Sequence, residues 1–253
     1  MSENRIWDEI EHFLNWYRLV FGPSVLLQQE WKNVPDTSEE KASKPGQYPI
    51  HTAPAKATAI TYRQTSPELQ EFYLQIKDCR SCDLHKTRKN LVFGYGNAHA
   101  QVMFVGEAPG REEDIQGLPF VGAAGKLLDK MLKSIGLNRD EVYIANVLKC
   151  RPPGNRNPLP QEVEKCEPYL KKQLKMINPK LIVALGLYAG QTLLKKQETL
   201  SRMRNTVHRY EDIDIIVTYH PAALLRNPMW KAQAWEDFKT IRKMIERFGT
   251  DNV

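Results

Sequence analysis

The stretch QVMFVGEAPGREED, residues 101–114, decides how the rest of the chain is read. Gln101 to Val105 is a short, valine-rich apolar run, and it ends at Gly106-Glu107-Ala108-Pro109-Gly110, a turn of residues that break regular structure. A run apolar on both faces belongs in a sheet that is covered on both sides. Three similar runs follow, Val142 to Val147, Leu181 to Leu185 and Ile213 to Tyr219, separated by helical patterns over Gly125 to Ile135, Pro160 to Met176 and Tyr188 to Lys195. Ser66-Pro67-Glu68 opens an earlier helix through Ile76, and a last one runs from Trp230 to Phe248. The alternation predicts an α/β fold with a central four-stranded, mainly parallel sheet between two helical layers, an α/β/α sandwich with an N-terminal helical extension.

Outward from this core, the chain divides into three parts. Residues 67–253 hold all the strand signals. Residues 34–66, with PDTSEEKASKPGQYP and APAKATA, carry too little apolar surface to order themselves and read as a flexible linker. Residues 1–33 contain an amphipathic helix, with Ile6, Trp7, Ile10, Phe13, Leu14, Tyr17, Val20 and Phe21 at helical spacing. That helix is expected to dock on its own domain, on a second copy or on a protein partner. No run approaches the roughly 18 apolar residues of a membrane span, and MSENRIWDEIE has acids where a signal peptide has bases, so a cytoplasmic protein with no membrane association is expected.

The net charge is +6, with basic residues gathered in short segments: His85, Lys86, Arg88 and Lys89; Lys149, Arg151 and Arg156; Arg202, Arg204, His208 and Arg209. Such segments suit an anionic partner or a solvated surface. Open α/β sheets bind ligands beyond the carboxyl ends of their strands, so the turns after each strand matter most. They are Gly106 to Gly110, KCRPPGNR from Lys149 to Arg156, Gly186, and HPAALLR from His220 to Arg226. Gly125-Lys126 is not a phosphate loop, because Phe120 stands where a Gly is required and Leu127 where Ser or Thr is. Gly122 and Gly125 instead permit close packing at a helix start.

Cys79, Cys82, Cys150 and Cys166 are the only cysteines, and without a secretion signal disulfides are disfavoured. A C-x2-C pair, then 67 residues, then C-x15-C lacks the second tight pair of a zinc ribbon. The wide spacing suits a [4Fe–4S] cluster, with one thiolate per iron.

The motifs CRSCDL (79–84), GEAPGREED (106–114), PFVGAAGKLL (119–128), NVLKCRPPGNRNP (146–158), CEPY (166–169) and HPAALLR (220–226) together resemble the iron–sulfur, family 4 uracil-DNA glycosylases. The resemblance spans about Pro67 to Ile245, in matching order and spacing. It implies a monofunctional enzyme that flips uracil out of DNA and hydrolyses its N-glycosidic bond, leaving an abasic site. The matched positions imply that Glu107, Ala108, Phe120, Asn146 and His220 line the uracil pocket. Asn146 would read the O4 and N3–H edge, Phe120 would stack on the base, and His220 would stabilise charge on O2. Ala108 stands where better-known uracil glycosylases have an Asp, so a carboxylate for the water must come from Glu107, Glu113 or Asp114, or the substrate's own electrostatics must do most of the work. The resemblance assigns the water to Glu113, and the other reading of Glu113 and Asp114 is a helix N-terminus. Leu224 or Leu225 would wedge into the base stack and Arg226 would hold a phosphate. Arg151, Arg156 and Lys149 would meet further phosphates, and the four cysteines would bind the cluster. Two other readings stand beside it: a non-catalytic DNA-binding module that would use the same basic loops, and a zinc-stabilised protein-interaction domain.

Overall fold

The structure, a computed structural model, describes residues 17–18 and 66–250. The expected helix over residues 6–21 and the linker over 34–66 therefore lie outside the described residues, apart from Tyr17 and Arg18, which are helical, and Ser66.

Helix α1 (Pro67–Ile76) starts where the Ser66 hydroxyl accepts the Leu69 N–H at 3.1 Å, with Pro67 in the first turn. The four expected runs form strands β2 (Val102–Gly106), β3 (Tyr143–Asn146), β4 (Leu181–Leu185) and β6 (Ile213–Thr218). All neighbouring pairs among these four are parallel, in the order β3-β2-β4-β6. The sheet is wider than expected, because two edge strands add antiparallel pairs: β1 (Tyr95–Gly96) on β3 and β5 (Val207–Tyr210) on β6.

Helices α2 (Arg111–Gln116) and α3 (Ala123–Ser134) follow β2, α4 (Pro160–Ile177) follows β3, and α5 (Leu187–Leu194) and α6 (Leu200–Met203) follow β4. Beyond β6 come α7 (Pro221–Arg226), a 3-10 turn at Pro228–Trp230, and α8 (Lys231–Thr250).

Alternate side chains along the strands feed two cores. On one face, Phe104, Ile144 and Val183 meet Leu128 and Met131 of α3, Leu224 of α7 and Phe238 of α8. On the other, Met103, Tyr143 and Ile182 meet Phe72 of α1, Leu174 of α4 and Leu193 of α5. This is the three-layer sandwich expected. Tyr17 packs against the first core, with the Lys231 ammonium 5.3 Å from its ring centre. The carboxyl ends of β2, β3, β4 and β6 point the same way, which brings Gly106, Asn146, Gly186 and His220 to one rim.

Candidate active site

Gly106 and Asn146 sit opposite each other at the ends of β2 and β3. A Cβ on Gly106 would overlap Asn146 Oδ1 and fall 2.7 Å from Phe120 Cζ, so only glycine lets these three share the space. Asn146 is buried, and its Oδ1 has no hydrogen-bond partner. A buried carbonyl left unpaired costs about 1–3 kcal/mol. Retaining it makes sense where a ligand supplies the donor.

Phe120 is held in a conformation that its own chemistry disfavours. Its φ is +52°, in the left-handed region. Arg139 stabilises the turn, donating to the carbonyl of Phe120 at 2.9 Å and to that of Pro119, while pairing with Asp129 at 2.9 Å. Gly125, in the first turn of α3, lies directly under the Phe120 carbonyl, where any Cβ would overlap it. The ring is thereby set 5.5 Å from that of His220, tilted by 31°.

His220 precedes α7 and caps it: its Nδ1 accepts the Ala222 N–H at 3.1 Å. That bond makes Nδ1 the acceptor, so in the neutral ring Nε2 carries the proton and is the available donor. Burial, with a smaller push from Arg226 and an opposing pull from Glu113, lowers the His220 pKa to about 4. The imidazole is neutral at physiological pH. Gly186, at φ +95°, allows the approach of His220, whose Cβ would stand 3.0 Å from a Cβ there.

Glu113 stands where its helix-start reading places it. Its Oε1 accepts the N–H groups of Val121 (2.9 Å) and Gly122 (2.8 Å), and its Oε2 accepts that of Gly110 (3.1 Å). It ties the starts of α2 and α3 together and is close enough to His220 to act on its charge. Oε2, with one protein donor, retains capacity for a water. The Glu107 carboxyl lines a cleft of about 560 Å³ with Val147, Tyr188, Gln191 and Lys195, and burial raises its pKa to about 7. Ala108 packs on the group formed by Leu84, Leu148, Cys150 and Cys166.

The loop after β6 separates the two leucines. Leu224 is fully buried in the first core, so it cannot reach DNA unless α7 detaches, and the wedge role does not fit it. Leu225 is 48% exposed. Lys149 is likewise corrected: it is fully buried, with Nζ donating to Asn146 O at 2.8 Å and Gln173 Oε1 at 2.6 Å, and it braces the strand end from inside instead of meeting phosphates. Arg151 donates to Asn155 Oδ1 at 2.7 Å, and Arg156 makes two bonds to the Glu162 carboxylate at 2.6 and 2.9 Å, which offsets part of its charge. Arg226 is exposed in the last turn of α7.

The four cysteines come together from three segments: the turn after α1, the loop after β3, and α4. Cys79, Cys82, Cys150 and Cys166 line one small cavity, with Arg88 and Tyr169 on its wall, and no disulfide joins them. Arg88 donates to Cys150 Sγ at 3.1 Å and the Lys149 N–H to Cys166 Sγ at 3.2 Å, but burial outweighs these bonds and raises both thiol pKa values, Cys166 to about 12. Among the described residues no three His, Cys, Asp or Glu side chains close up around a single-ion site.

Arg139 braces the Phe120 turn and the buried Arg204–Asp237 pair the end of β6, from positions that no motif marked, whereas Gly106 lies in one. Arg204 donates to both Asp237 oxygens at 2.8 and 2.9 Å, and Thr218, two residues before His220, donates to the same carboxylate at 2.6 Å. A basic residue three places after a turn glycine carried no signal; the glycine at a strand end did.

The chain is similar to known proteins. Residues 93–239 match the uracil DNA glycosylase superfamily. A type-4 uracil-DNA glycosylase of Archaeoglobus fulgidus is 50% identical over 184 residues, covering 70% of this chain and 92% of that protein. One of Sulfurisphaera tokodaii is 46% identical, covering 70% and 84%, and one of Thermotoga maritima is 41% identical, covering 73% and 99%. The chain belongs to the uracil DNA glycosylase superfamily and, within it, to the type-4 uracil-DNA glycosylases.

Proposed function

We infer that this protein removes uracil from DNA by hydrolysing the N-glycosidic bond, leaving an abasic site for base excision repair. The observation that carries the reading is the buried, unpartnered Asn146 Oδ1 beside Phe120, with a neutral histidine next to that ring. Uracil supplies a donor, N3–H, to Oδ1 and an acceptor, O4, to the Asn146 amide. Cytosine reverses both, leaving Oδ1 against a lone pair.

The base flips out of the stack and lies on Phe120, Leu225 fills the gap, and Arg226, Arg151 and Arg156 hold phosphates. As the C1′–N1 bond breaks, its electron pair passes to the uracil and charge develops on O2, where the Nε2–H of His220 donates without changing its own protonation. Glu113, through the free capacity of Oε2, orients the water that adds to C1′; the proton this water loses and the one the departing uracil anion gains are exchanged through solvent, which balances the hydrolysis. Glu107 and Ala108 border the pocket through the strand end they extend. Lys149, locked on Asn146 and Gln173, is not placed to form a Schiff base, which supports simple hydrolysis.

The cysteine cavity fits a [4Fe–4S] cluster better than zinc, because four thiols face it without the tight grouping of single-ion ligands. When bound, the cluster would staple the turn after α1 to the loop after β3, which carries Arg151 and Arg156. Residues 67–253 form the catalytic unit in this reading, and the contact of Tyr17 with the core supports docking of the N-terminal helix on its own domain over recruitment of a protein partner. No helix among the described residues is long and apolar enough to cross a membrane, and the site of action proposed is the cytoplasm.

The test is release of base from otherwise identical oligonucleotides containing U, T or C, with His220→Ala alongside. Release from U alone, lost in the variant, is expected; no release from any strand by a folded, DNA-binding protein would leave a non-catalytic DNA-binding module.

A further inference from the structure

The segment after the wedge carries an apolar surface that the reaction described above does not use. Met229 and Trp230 are 80% and 38% exposed and follow the wedge Leu225, itself 48% exposed, within five residues. Isolated exposed apolar residues are ordinary, but a cluster beside a ligand-binding loop is not.

Trp230 is also rigidly mounted. Its indole stacks on the Tyr219 ring at 5.2 Å between centres and 19° between planes. On Tyr219 sits the Arg204 guanidinium, 4.4 Å from the ring centre. Arg204 is fixed in turn by Asp237 and by Gln233, whose backbone oxygen it meets at 2.8 Å, and Gln233 also accepts from the Tyr219 hydroxyl. Tyr219 thus holds both the Arg204 guanidinium and the partly exposed Trp230 ring.

Tyr219 is the residue before His220, so Trp230 is mounted on the chain neighbour of the residue that meets the flipped base. An aromatic ring ordered in advance loses little entropy when a partner stacks on it. Any nucleobase can use such a surface, since every base has a π-face. A base inside a duplex has both of its faces covered, whereas a base beside the wedge, or in a single strand, does not.

We propose that Trp230 is a stacking platform for an unpaired nucleobase adjacent to the uracil, with Met229 as a deformable apolar edge beside it. The inference rests on the uracil-DNA reading and assigns that site a second base-binding position, one that favours single-stranded or locally opened substrate. Arg226, exposed on the same loop, supplies the charge that would hold the intervening phosphate.

The experiment uses the full chain and short single strands containing 2′-fluoro-2′-deoxyuridine, which resists hydrolysis, with the nucleotide on either side either normal or abasic. Binding is read by fluorescence anisotropy. The wild-type protein is expected to bind at least about fivefold more weakly when the base on one particular side is removed, the lower end of base–aromatic stacking. Trp230→Ala and Trp230→Leu should bind both strands equally, near the weaker wild-type level; the leucine variant keeps an apolar cover on Tyr219 should the alanine variant fail to fold. Equal binding of the two strands by the wild-type protein, or discrimination retained in the folded variants, overturns the proposal. Uracil release from the unmodified strand is measured alongside: a protein that discriminates between neighbours but releases no uracil keeps the platform and loses the glycosylase assignment.

Discussion

Replacing Gly125 with alanine tests whether the pocket depends on the backbone packed beneath Phe120. The added Cβ would overlap the Phe120 carbonyl and stand 2.9 Å from its Cα, where real Cβ atoms essentially never come within 3.0 Å. The obstruction is backbone, so no side chain can rotate to relieve it. Phe120 is already at φ +52° and pinned by Arg139, so the turn has little slack and must shift on the order of 1 Å. A reacting assembly misplaced by about 1 Å loses about a hundredfold in rate, equivalent to about 2.7 kcal/mol of barrier. Overpacking should lower stability by about 1–3 kcal/mol as well. The assay is single-turnover uracil release at saturating enzyme, with thermal melting to confirm the fold. Gly122→Ala is the companion, since its nearest new contact is Glu113 Oε1 at 3.3 Å, and it should lose only about twofold. A folded Gly125→Ala enzyme with the wild-type rate would refute the reasoning.

Three further outcomes follow from the same geometry. Asn146→Ala should lower uracil release by about ten- to a hundredfold through the lost base-edge bonds while leaving the protein no less stable, because Oδ1 has no partner to lose; a urea melt and a rate on the same sample separate the two effects. His220, with a pKa pushed from 6.5 to about 4, takes up a proton in the unfolded chain before the folded one, so stability falls as the pH drops from above 6.5 to about 4 and levels off below that. The full effect is about 3 kcal/mol; urea titrations should find it weakened in His220→Asn, and an unchanged slope there would reject the assignment. Asp237→Ala strands the Arg204 guanidinium in the core and should cost about 3–5 kcal/mol, against at most about 1 kcal/mol for the exposed Arg242–Glu246 pair, a contrast readable by chemical denaturation.

Sequence alone carries the central sheet because four apolar runs rich in Val and Ile need burial on both faces and each ends at a turn. The edge strands escape it: β1 has two residues, and Val207-His208-Arg209-Tyr210 carries charge, with Val207 nearly half exposed. The strand-end residues Asn146 and His220 are legible as candidates because ligand sites in such sheets form there. Which of two adjacent leucines faces water depends on how α7 rests on α3, and periodicity within a six-residue helix does not settle that. Lys149 lies in a run of cations, and only Gln173, 24 residues away, reveals it as a buried brace. Arg139 and Trp230 act through partners distant in the chain, Phe120 and Tyr219, so neither has a local signature. Glu113 was open to two readings because one carboxylate can accept several donors, and three backbone N–H groups leave it room for one more.

The central claim is that the unpaired Asn146 oxygen reads the N3–H of uracil. The direct measurement is inhibition of uracil release by free uracil and by 3-methyluracil, which lacks that donor. The account predicts that uracil inhibits and that 3-methyluracil does so at least about tenfold more weakly, since methylation leaves Oδ1 unpaired and crowds it. Equal inhibition by the two would contradict it.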